Sequence, residues 1–330
     1  MAAFALAVRA HRQAFPGPLR ERLGRTVTID PDAVLTDFRT PAARRALATV
    51  EILVSGWGCP RIDEDVLTAA PHLRAVVHAA GTVKALIAPA VYERGVVVSS
   101  AAQANAVPVA EFTIATMVLG AKQVFARARR YAADPARITS PAPAGAGLAG
   151  SIVGVIGASR IGRLVMRRLR DLDVRVLLAD PHAGPAVAAQ FGAELVTLDT
   201  LCARSDIVTL HAPALPETRG LIGERRLSLM PDGALFINTA RGSLVDTAAL
   251  VRHCAPGRIS AVLDVTDPEP LPAGHPLLKL DNVYVTPHLA GAEGKEVYRL
   301  GEFAVAEVER LVRGEPLAGQ VEREELPFIA

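Results

Sequence analysis

Three polar segments of this chain each follow an apolar stretch that reads as a strand, and together they carry an arginine, a glutamate and a histidine. The predicted strands span 234–237, 259–263 and 283–285, and the residues beyond them are Arg241, Glu269 and His288 in that order. Ligands of open parallel sheets bind beyond the carboxyl ends of the strands, so we expect these three side chains to converge on one crevice.

An arginine, a glutamate and a histidine are the groups needed to reduce a 2-oxo acid. Arg241 can hold a carboxylate in a bidentate fork and polarise the adjacent carbonyl. His288 can give the C2 oxygen a proton as hydride arrives, because imidazole titrates near neutrality. Glu269 beside the ring would orient it and favour its charged form. Taken singly, each residue also has a structural interpretation, so the prediction depends on finding them together downstream of a nucleotide-binding turn.

A glycine turn at Gly157-Ala158-Ser159-Arg160-Ile161-Gly162 predicts that nucleotide site. It lies between a strand and a helix, which puts a dinucleotide pyrophosphate on the helix N-terminus. Ser159 replaces the middle glycine of the usual pattern; we expect its Cβ to push the phosphate slightly outward and its hydroxyl to supply a hydrogen bond in exchange. A perfect glycine pattern at 145–150 precedes a strand, and we interpret it as the loop leading into that strand.

Asp180 follows the next predicted strand and predicts the choice of cofactor. A carboxylate there accepts hydrogen bonds from ribose hydroxyls and repels a 2′-phosphate. The residues after it are Pro181 and His182, with no adjacent Arg or Lys. The sequence therefore favours NAD over NADP. The alternative is a turn aspartate that precedes a proline.

Short apolar runs alternate with helical patterns along the whole chain, which predicts an α/β fold with parallel sheets. The runs are rich in Val, Ile and Leu, as is typical of buried parallel strands. Further strands are predicted at 51–54, 74–77, 96–98, 152–156, 174–178 and 207–210. A long helix is predicted at 108–131 with proline in its first turn, a loop or linker at 132–150, and a last helix at 293–313.

Composition narrows the class of protein. The chain has 330 residues, enough for roughly two domains, and a net charge of +2, which gives no reason to expect nucleic-acid binding. Cys59, Cys202 and Cys254 form no C-x-x-C pair, as expected in a reducing compartment. Arg9 and His11 interrupt the apolar start, so we expect a strand there instead of a signal peptide. With no uninterrupted apolar run of about 18 residues, we expect a soluble cytoplasmic protein without a membrane partner.

Taken in order, these segments resemble the D-isomer-specific 2-hydroxyacid dehydrogenases, relatives of D-3-phosphoglycerate dehydrogenase. The segments 105–111, 210–213 and 216–218 add to the match, which covers roughly residues 50–315. The resemblance implies two doubly wound parallel-sheet domains with a cleft between them. One is a Rossmann-type cofactor domain at 105–290, and the other is a flavodoxin-like substrate domain that combines 1–104 with 291–330. It also implies a homodimer, with the helix at 108–131 and the loop after it at the interface.

The resemblance assigns further roles. It puts backbone amides near Ala80 and Gly81 on the substrate carboxylate and Asp264 on the nicotinamide carboxamide. It puts His211 beside the cofactor, although a structural hydrogen bond is the alternative role for that residue. No metal site is implied. The cofactor-binding set is Gly157, Ser159, Arg160, Ile161, Gly162, Asp180, His211, Ala212, Pro213, Thr218, Thr239, Ala240 and Asp264. Trp57 lies on a facing loop of the substrate domain, with packing as the alternative.

We therefore expect an NAD-dependent oxidoreductase that interconverts a 2-oxo acid and a D-2-hydroxy acid, with His288 as acid/base. One alternative is a non-catalytic dinucleotide sensor like the family's corepressor branch, and another is a methyltransferase with a similar glycine turn. Glu269 disfavours formate as substrate, since the related formate dehydrogenases carry Gln there. Ala80 disfavours phosphite, and loops 56–59 and 79–82 lack a phosphate-binding cluster. The unusual sequence after His288 is expected to reshape the rim of the site. We expect no appended regulatory domain, since the residues after the last predicted helix are too few to fold alone.

Overall fold

The computed structural model describes residues 1–135 and 146–328. Its strands are β1 Ala2–Ala5, β2 Ile52–Ser55, β3 Ala75–His78, β4 Val97–Ser100, β5 Ser151–Ile156, β6 Val174–Ala179, β7 Ala193–Leu195, β8 Ile207–Leu210, β9 Leu235–Asn238, β10 Ser260–Leu263 and β11 Val283–Val285. Its α-helices are α1 Val8–Ala14, α2 Gly17–Thr26, α3 Pro41–Leu47, α4 Glu64–Ala69, α5 Pro89–Glu93, α6 Ala102–Ala121, α7 Val124–Ala133, α8 Arg160–Leu169, α9 Pro185–Gln190, α10 Leu198–Arg204, α11 Glu224–Leu229, α12 Thr247–Cys254 and α13 Val297–Arg313. Short 3₁₀ helices span Pro216–Thr218, Gly242–Leu244, Pro276–Leu278, Gly294–Glu296 and Arg323–Phe328.

The chain forms two compact units. The small unit comprises Met1–Ala106 and Ala292–Ala330, and the large unit comprises Val107–Gly291. The chain passes from the first to the second within α6 and returns before α13. The assignment of the small unit to the substrate and of the large unit to the cofactor stays a prediction.

The small unit is a parallel sheet covered on both faces. Its order is β1-β2-β3-β4, and Phe4 of β1 also pairs in parallel with Val34, which corresponds to the flavodoxin-like order. Successive strand residues enter opposite clusters: Ile52 packs with residues of α1, α2 and α13, whereas Leu53 packs with residues of α3, α4 and α5. The buried Glu307 of α13 accepts a hydrogen bond from the Gly319 amide at 2.9 Å, which holds the C-terminal segment to this unit.

The large unit is a seven-stranded parallel sheet of order β11-β10-β9-β8-β5-β6-β7. This is the doubly wound dinucleotide-binding order with a further strand at one edge, and the strand order reverses between β5 and β8. Helices cover both faces here as well. Val155 and Ile237 belong to a cluster with α8, while Ile156 and Phe236 belong to one with α10, α11 and α12. The predicted fold class is therefore confirmed.

Two local predictions differ from the structure. The predicted helix at 108–131 is two helices, because α6 ends at Ala121 and Gln123 takes a left-handed φ of 51° before α7. Pro108 lies inside α6, not at its start, since the Ser100 hydroxyl accepts the Ala102 amide and allows the helix to begin there. Of the predicted linker 132–150, residues 136–145 lie outside the described residues. The strand β7 was not predicted.

Helix α6 is the candidate membrane span that the described residues contain. Its mean hydropathy is 1.3, and by length and composition alone it is long and apolar enough to cross a bilayer. Core helices of soluble proteins pass the same test, and Ala110 and Met117 of α6 are buried in the core of the large unit. Because Gln103, Asn105 and Glu111 interrupt its apolar sequence, α6 does not contradict the expectation that the chain has no uninterrupted apolar run of about 18 residues.

Candidate active site

The predicted site residues of the large unit leave the sheet along one edge. The parallel register aligns the last residues of neighbouring strands: Ile156 pairs with Ala179 and with Leu210. Leu210 pairs in turn with Asn238, which pairs with Leu263. Leu263 pairs with Val285, so the segments carrying the glycine turn, Asp180, His211, Arg241, Glu269 and His288 all begin in one row.

The glycine turn is a tight cradle in which two positions require glycine. Gly157 has a φ of +94°, and a Cβ there would lie 2.9 Å from the Ala212 amide nitrogen and from the His211 carbonyl. A Cβ on Gly162 would lie 2.0 Å from the Gly157 carbonyl oxygen. The turn thus brings the exit of β5, the start of α8 and the loop after β8 into contact, as a dinucleotide site requires.

The N-terminus of α8 presents unpaired donors. The backbone N–H groups of Ser159, Arg160 and Ile161 have no acceptor in the part of the chain that the structure describes. Ser159 is the N-cap residue, and its Oγ accepts the Gly162 amide at 3.3 Å. Because Oγ is the acceptor in that bond, its own hydrogen remains available to donate. The residues present therefore fit an anionic group such as a pyrophosphate.

Asp180 is held against the glycine turn. Its Oδ2 accepts the Ala158 amide at 2.6 Å, and its Oδ1 accepts the His182 amide at 2.7 Å. A carboxylate has about four acceptor positions, so two such bonds leave capacity for further donors on both oxygens. The structure therefore puts an acceptor-only group at the carboxyl end of β6, beside the turn.

The loop after β8 contains the other predicted cofactor contacts. His211 is buried, its Nε2 bonds the Thr209 hydroxyl at 2.9 Å, and burial lowers the pKa of its ring to about 3. Its buried Nδ1 has no partner among the described residues. Thr218 closes the loop by donating its hydroxyl to the Pro213 carbonyl at 2.7 Å. The bond between His211 and Thr209 is the structural hydrogen bond considered as the alternative role of His211.

His288 and Glu269, which the sequence predicts to act as a pair, are joined by a hydrogen bond. Nδ1 of His288 and Oε1 of Glu269 lie 2.6 Å apart, and the imidazole is 50% exposed. His288 has a left-handed φ of 55°, a conformation in which histidine is enriched among non-glycine residues. With Nδ1 engaged by the carboxylate, Nε2 has no hydrogen-bond partner in the described ranges. This nitrogen can therefore donate or accept a proton without first breaking a hydrogen bond to any of the described residues.

Asp264 fixes the backbone that carries His288. Its buried carboxylate accepts the Thr286 hydroxyl at 2.7 Å, the Leu289 amide at 2.8 Å and the Ala290 amide at 3.0 Å. Its own carbonyl accepts the His288 amide at 3.0 Å. Three of the four acceptor positions of this carboxylate therefore serve the histidine loop. The predicted contact of Asp264 with a nicotinamide carboxamide remains a prediction.

Arg241 is held by its own segment. Nδ2 of Asn238 donates to the Arg241 carbonyl at 3.0 Å, and Oδ1 of Asn238 accepts the Ala240 amide at 3.0 Å. Burial lowers the pKa of the Arg241 guanidinium, and the nearby Glu269 carboxylate opposes that shift. Because Glu269 acts on Arg241 and bonds His288, the structure brings the three predicted side chains of the large unit together. A Cβ on Gly242 would lie 2.0 Å from the Thr266 carbonyl, so glycine permits this approach.

In the small unit, the turn after β3 carries the other predicted substrate residues. The backbone N–H groups of Ala80 and Gly81 have no acceptor among the described residues. Before them, His78 is buried and its Nδ1 bonds the Ser55 hydroxyl at 3.0 Å, with burial lowering its pKa to about 4. Successive unpaired amides of a turn form a concave donor set for an anion.

Several supporting residues were not predicted as part of the site. Three of them lie in the polar segments that follow the strands: Asn238, Gly242 and Thr286. Their nearness in sequence to Arg241 or His288 is the feature by which they could have been predicted. Thr113 of α6, whose hydroxyl lies 3.1 Å from that of Thr239, had no such signal. The described residues contain no group of three His, Cys, Asp or Glu side chains that could hold a metal ion.

Comparison with known proteins agrees with this geometry. Residues 114–290 match the family described as "D-isomer specific 2-hydroxyacid dehydrogenase, NAD binding domain". D-3-phosphoglycerate dehydrogenase of Archaeoglobus fulgidus is 36% identical over 262 residues, which are 79% of this chain and 49% of that protein. Glyoxylate reductase of Thermofilum pendens is 34% identical over 275 residues, which are 81% of this chain and 80% of that protein.

The same likeness extends to solved structures. The crystal structure of D-lactate dehydrogenase from Aquifex aeolicus complexed with NAD and lactic acid matches with a TM-score of 0.71 at 25% identity, covering 96% of each chain. The chain spans about half the length of the phosphoglycerate dehydrogenases that it matches. The family match over most of the large unit and the glyoxylate reductase match over most of both chains identify this chain as a member of the D-isomer specific 2-hydroxyacid dehydrogenase family.

Proposed function

We propose that this chain interconverts a 2-oxo acid and a D-2-hydroxy acid with NAD as the redox partner and His288 as the acid/base. One observation carries the proposal: a half-exposed imidazole bonded to a carboxylate at 2.6 Å, with its second nitrogen unpartnered among the described residues, near a partly buried arginine. The same segments of the chain lie in one row with a glycine cradle suited to a dinucleotide.

The cofactor would be held by the cradle of Gly157 and Gly162 and by the unpaired amides at the start of α8. When bound, a nicotinamide dinucleotide supplies or accepts the hydride. Asp180 would accept the ribose hydroxyls and, as an acceptor-only anion, repel a 2′-phosphate. A relative's crystal structure with NAD bound supports the same choice.

The proton is handled by His288. In the reducing direction Nε2 donates to the C2 oxygen of the substrate, and in the oxidising direction it accepts the hydroxyl proton. Glu269 holds Nδ1, which fixes the ring orientation and leaves Nε2 as the reacting nitrogen. Arg241, which keeps its charge in any protein environment, would bind the carboxylate and polarise the carbonyl. The amides of Ala80 and Gly81 are further donors for a substrate carboxylate in this proposal.

The test is oxidation of NADH and of NADPH in parallel with a panel of 2-oxo acids, by wild type and by His288→Ala. We expect turnover with NADH to exceed that with NADPH, and His288→Ala to lower kcat by about 10²–10⁴-fold. His72→Ala, which removes an exposed histidine of the small unit, is the matched control and should keep wild-type rates. Wild-type activity in His288→Ala would contradict the acid/base assignment.

Two other outcomes would replace the proposal. NADH binding without turnover of any 2-oxo acid would indicate a dinucleotide sensor. Binding of S-adenosylmethionine in place of NADH would indicate a methyltransferase. A sensor of the corepressor type could keep the Glu269–His288 pair, whereas a methyltransferase gives no reason for it.

We propose further that two copies of the chain pair through α6 and α7, in a reducing compartment. Support comes from the apolar character of α6, which is only partly buried, and from Tyr131 of α7, which is half-exposed. The three cysteines are free, as in a cytoplasmic protein. Light scattering should give twice the mass of the 34.7 kDa chain, whereas a single-chain mass would contradict the pairing.

A further inference from the structure

Glu269 stands on a segment of the large unit that has no helix or strand of its own. We call residues 266–270, which lie beyond the end of β10, the Glu269 loop. Pro268, Glu269 and Pro270 are exposed, so few buried contacts fix the carboxylate that bonds His288. The position of Glu269 therefore depends on the hydrogen bonds that other residues make to this loop.

Thr247 ties the Glu269 loop to helix α12. Its hydroxyl donates to the Asp267 carbonyl at 2.7 Å. Thr247 is the first residue of α12, and the N-cap residue Asp246 accepts the Ala249 amide at 2.9 Å. Ala249 is buried in the core of the large unit, so the start of this helix is fixed. The hydroxyl thus connects an exposed loop to an element that is packed on the core.

Thr266 closes the Glu269 loop on itself. Its hydroxyl donates to the Pro268 carbonyl at 2.8 Å, and its backbone N–H donates to Oε2 of Glu269 at 3.4 Å. The other carboxylate oxygen, Oε1, bonds Nδ1 of His288. One oxygen of Glu269 is therefore held by the loop and the other by the imidazole, so a displacement of the loop moves the carboxylate away from the ring.

One further contact reaches the Glu269 loop from another segment. Nη2 of Arg219 lies 3.3 Å from Oδ2 of Asp267, and the two side chains are 71% and 41% exposed. Exposed ion pairs contribute little, and salt screens them. Within the part of the chain that the structure describes, the Thr247 hydroxyl is therefore the one neutral group that bonds this loop to an element packed on the core.

We propose that Thr247 is a positioning residue, whose hydroxyl keeps Glu269 on Nδ1 of His288 by holding the Glu269 loop. The proposal rests on the proposed function and adds to it a residue that bonds neither member of the pair. The hydrogen bond at one ring nitrogen decides which nitrogen carries the proton of a neutral imidazole. Without Thr247, the loop and its carboxylate shift, and Nε2 is no longer kept as the reacting nitrogen.

The first test needs no turnover. Long-range proton–nitrogen NMR spectra of the full chain with ¹⁵N-labelled histidine, recorded at alkaline pH, show which ring nitrogen carries the proton. We expect the His288 proton on Nδ1 in the wild type and in Thr247→Ser, and a shift of the population towards Nε2 in Thr247→Val, as in Glu269→Ala. The signal is assigned by its loss in His288→Gln. A wild-type ring protonated on Nε2, or one that Thr247→Val leaves unchanged, would overturn the proposal.

The second test measures turnover with NADH and whichever of glyoxylate, pyruvate and phenylpyruvate the wild type reduces fastest. We expect Thr247→Val to lower kcat about tenfold and to leave KM and the Kd of NADH within about twofold, because a misplaced proton donor slows chemistry without weakening binding. Thr247→Ser should keep the wild-type kcat. Thr68→Val is the matched control, since it removes a hydroxyl that donates to the Glu64 carbonyl at 2.8 Å in the small unit.

The outcomes of the two tests separate the proposal from the function on which it rests. A Thr247→Val protein with the wild-type kcat, or a loss of kcat that Thr247→Ser shares, would overturn the positioning role. A fall in NADH affinity as large as the fall in kcat would also overturn it, because general damage to the large unit would then explain both. A His288 ring that responds to Thr247→Val in a protein that reduces no 2-oxo acid would instead reject the proposed function and keep the positioning role.

Discussion

The carboxyl edge of the large sheet presents charged side chains, whereas that of the small sheet presents unpaired amides and exposed apolar side chains. The large unit has Asp180, Arg241, Glu269 and His288 beyond its strands. The small unit has the turn at Ala80 and the uncovered Trp57 at the corresponding place. Function varies between proteins of one fold mainly through the loops that follow its strands, so each edge can contribute a different chemistry.

Two further histidines, one at each edge, show how the surroundings of His288 differ from those of a buried ring. His78 in the small unit and His211 in the large unit are each buried and bonded to a hydroxyl, Ser55 and Thr209 respectively. Burial lowers the pKa of both rings. His288 differs in being half-exposed and bonded to a carboxylate. A histidine near a strand end is therefore weak evidence of catalysis until its partner is known.

The largest expected effect contrasts two glycines, one at each edge. Gly162→Ala puts a Cβ 2.0 Å from a backbone oxygen, whereas Gly81→Ala puts one 3.3 Å from Asn105 Nδ2, the end of a side chain. Backbone cannot give way as a side chain does, so we expect Gly162→Ala to weaken NADH binding roughly 100-fold, from an overpacking cost of about 3 kcal/mol. Gly81→Ala should leave the Kd of NADH within about threefold.

Calorimetric titration with NADH measures both variants. Gly24→Ala is the folding control, because a Cβ there meets nothing within 4 Å. Equal losses of NADH affinity in Gly162→Ala and Gly81→Ala would remove the contrast between a rigid cradle in the large unit and an adaptable turn in the small one.

The sequence predicts more of the large unit's edge than of the small unit's edge. The placement of the large unit's candidate residues was predictable, because charged side chains such as Arg241 and His288 stand directly after apolar strands; their roles stay predictions. The fold was predictable for the same reason, since buried parallel strands such as β8 and β9 read as continuous apolar runs. The three-residue β7 was missed because Ala193-Glu194-Leu195 has neither the length nor the composition of such a run.

The small unit's edge could not be predicted in the same way. Its donors are backbone amides, which every residue possesses, and only their lack of partners distinguishes Ala80 and Gly81. Likewise, the exposure of Trp57 depends on the approach of Gly58 to Ala7, a contact between separate loops. The break between α6 and α7 also depends on one backbone angle, at Gln123, which the apolar pattern does not encode.

A fall in pH is expected to have an intermediate effect: it should lower the folding stability of each unit through its buried histidine. Burial holds the pKa of His78 near 4 and that of His211 near 3, against 6.5 for the unfolded ring. The unfolded chain therefore takes up protons as the pH falls below 6.5, while the folded chain does not. Stability is fully present above that pH and declines below it, by about 2 kcal/mol per ring at pH 5.

Denaturant titrations at pH 7 and pH 5 check this, with Trp57 fluorescence following the small unit and circular dichroism following the whole chain. His78→Gln should reduce the acid sensitivity of the fluorescence transition by about 2 kcal/mol, and His211→Gln should leave that transition unchanged. An identical pH dependence in wild type and His78→Gln would show that this ring is protonated in the folded unit.

The smallest expected effect concerns two helix caps, one in each unit. Ser159 caps α8 through the Gly162 amide, and Thr40 caps α3 through the Ala43 amide at 3.2 Å. Glycine replaces such a cap at a cost of a few tenths of a kcal/mol, so Ser159→Gly and Thr40→Gly should lower Tm by similar small amounts. Ser159→Gly also removes the Cβ nearest the pyrophosphate position, so we expect the Kd of NADH to stay within about threefold of wild type or to fall. A loss of affinity beyond about tenfold at unchanged Tm, with Thr40→Gly binding normally, would instead make the Ser159 hydroxyl a required contact of the cofactor.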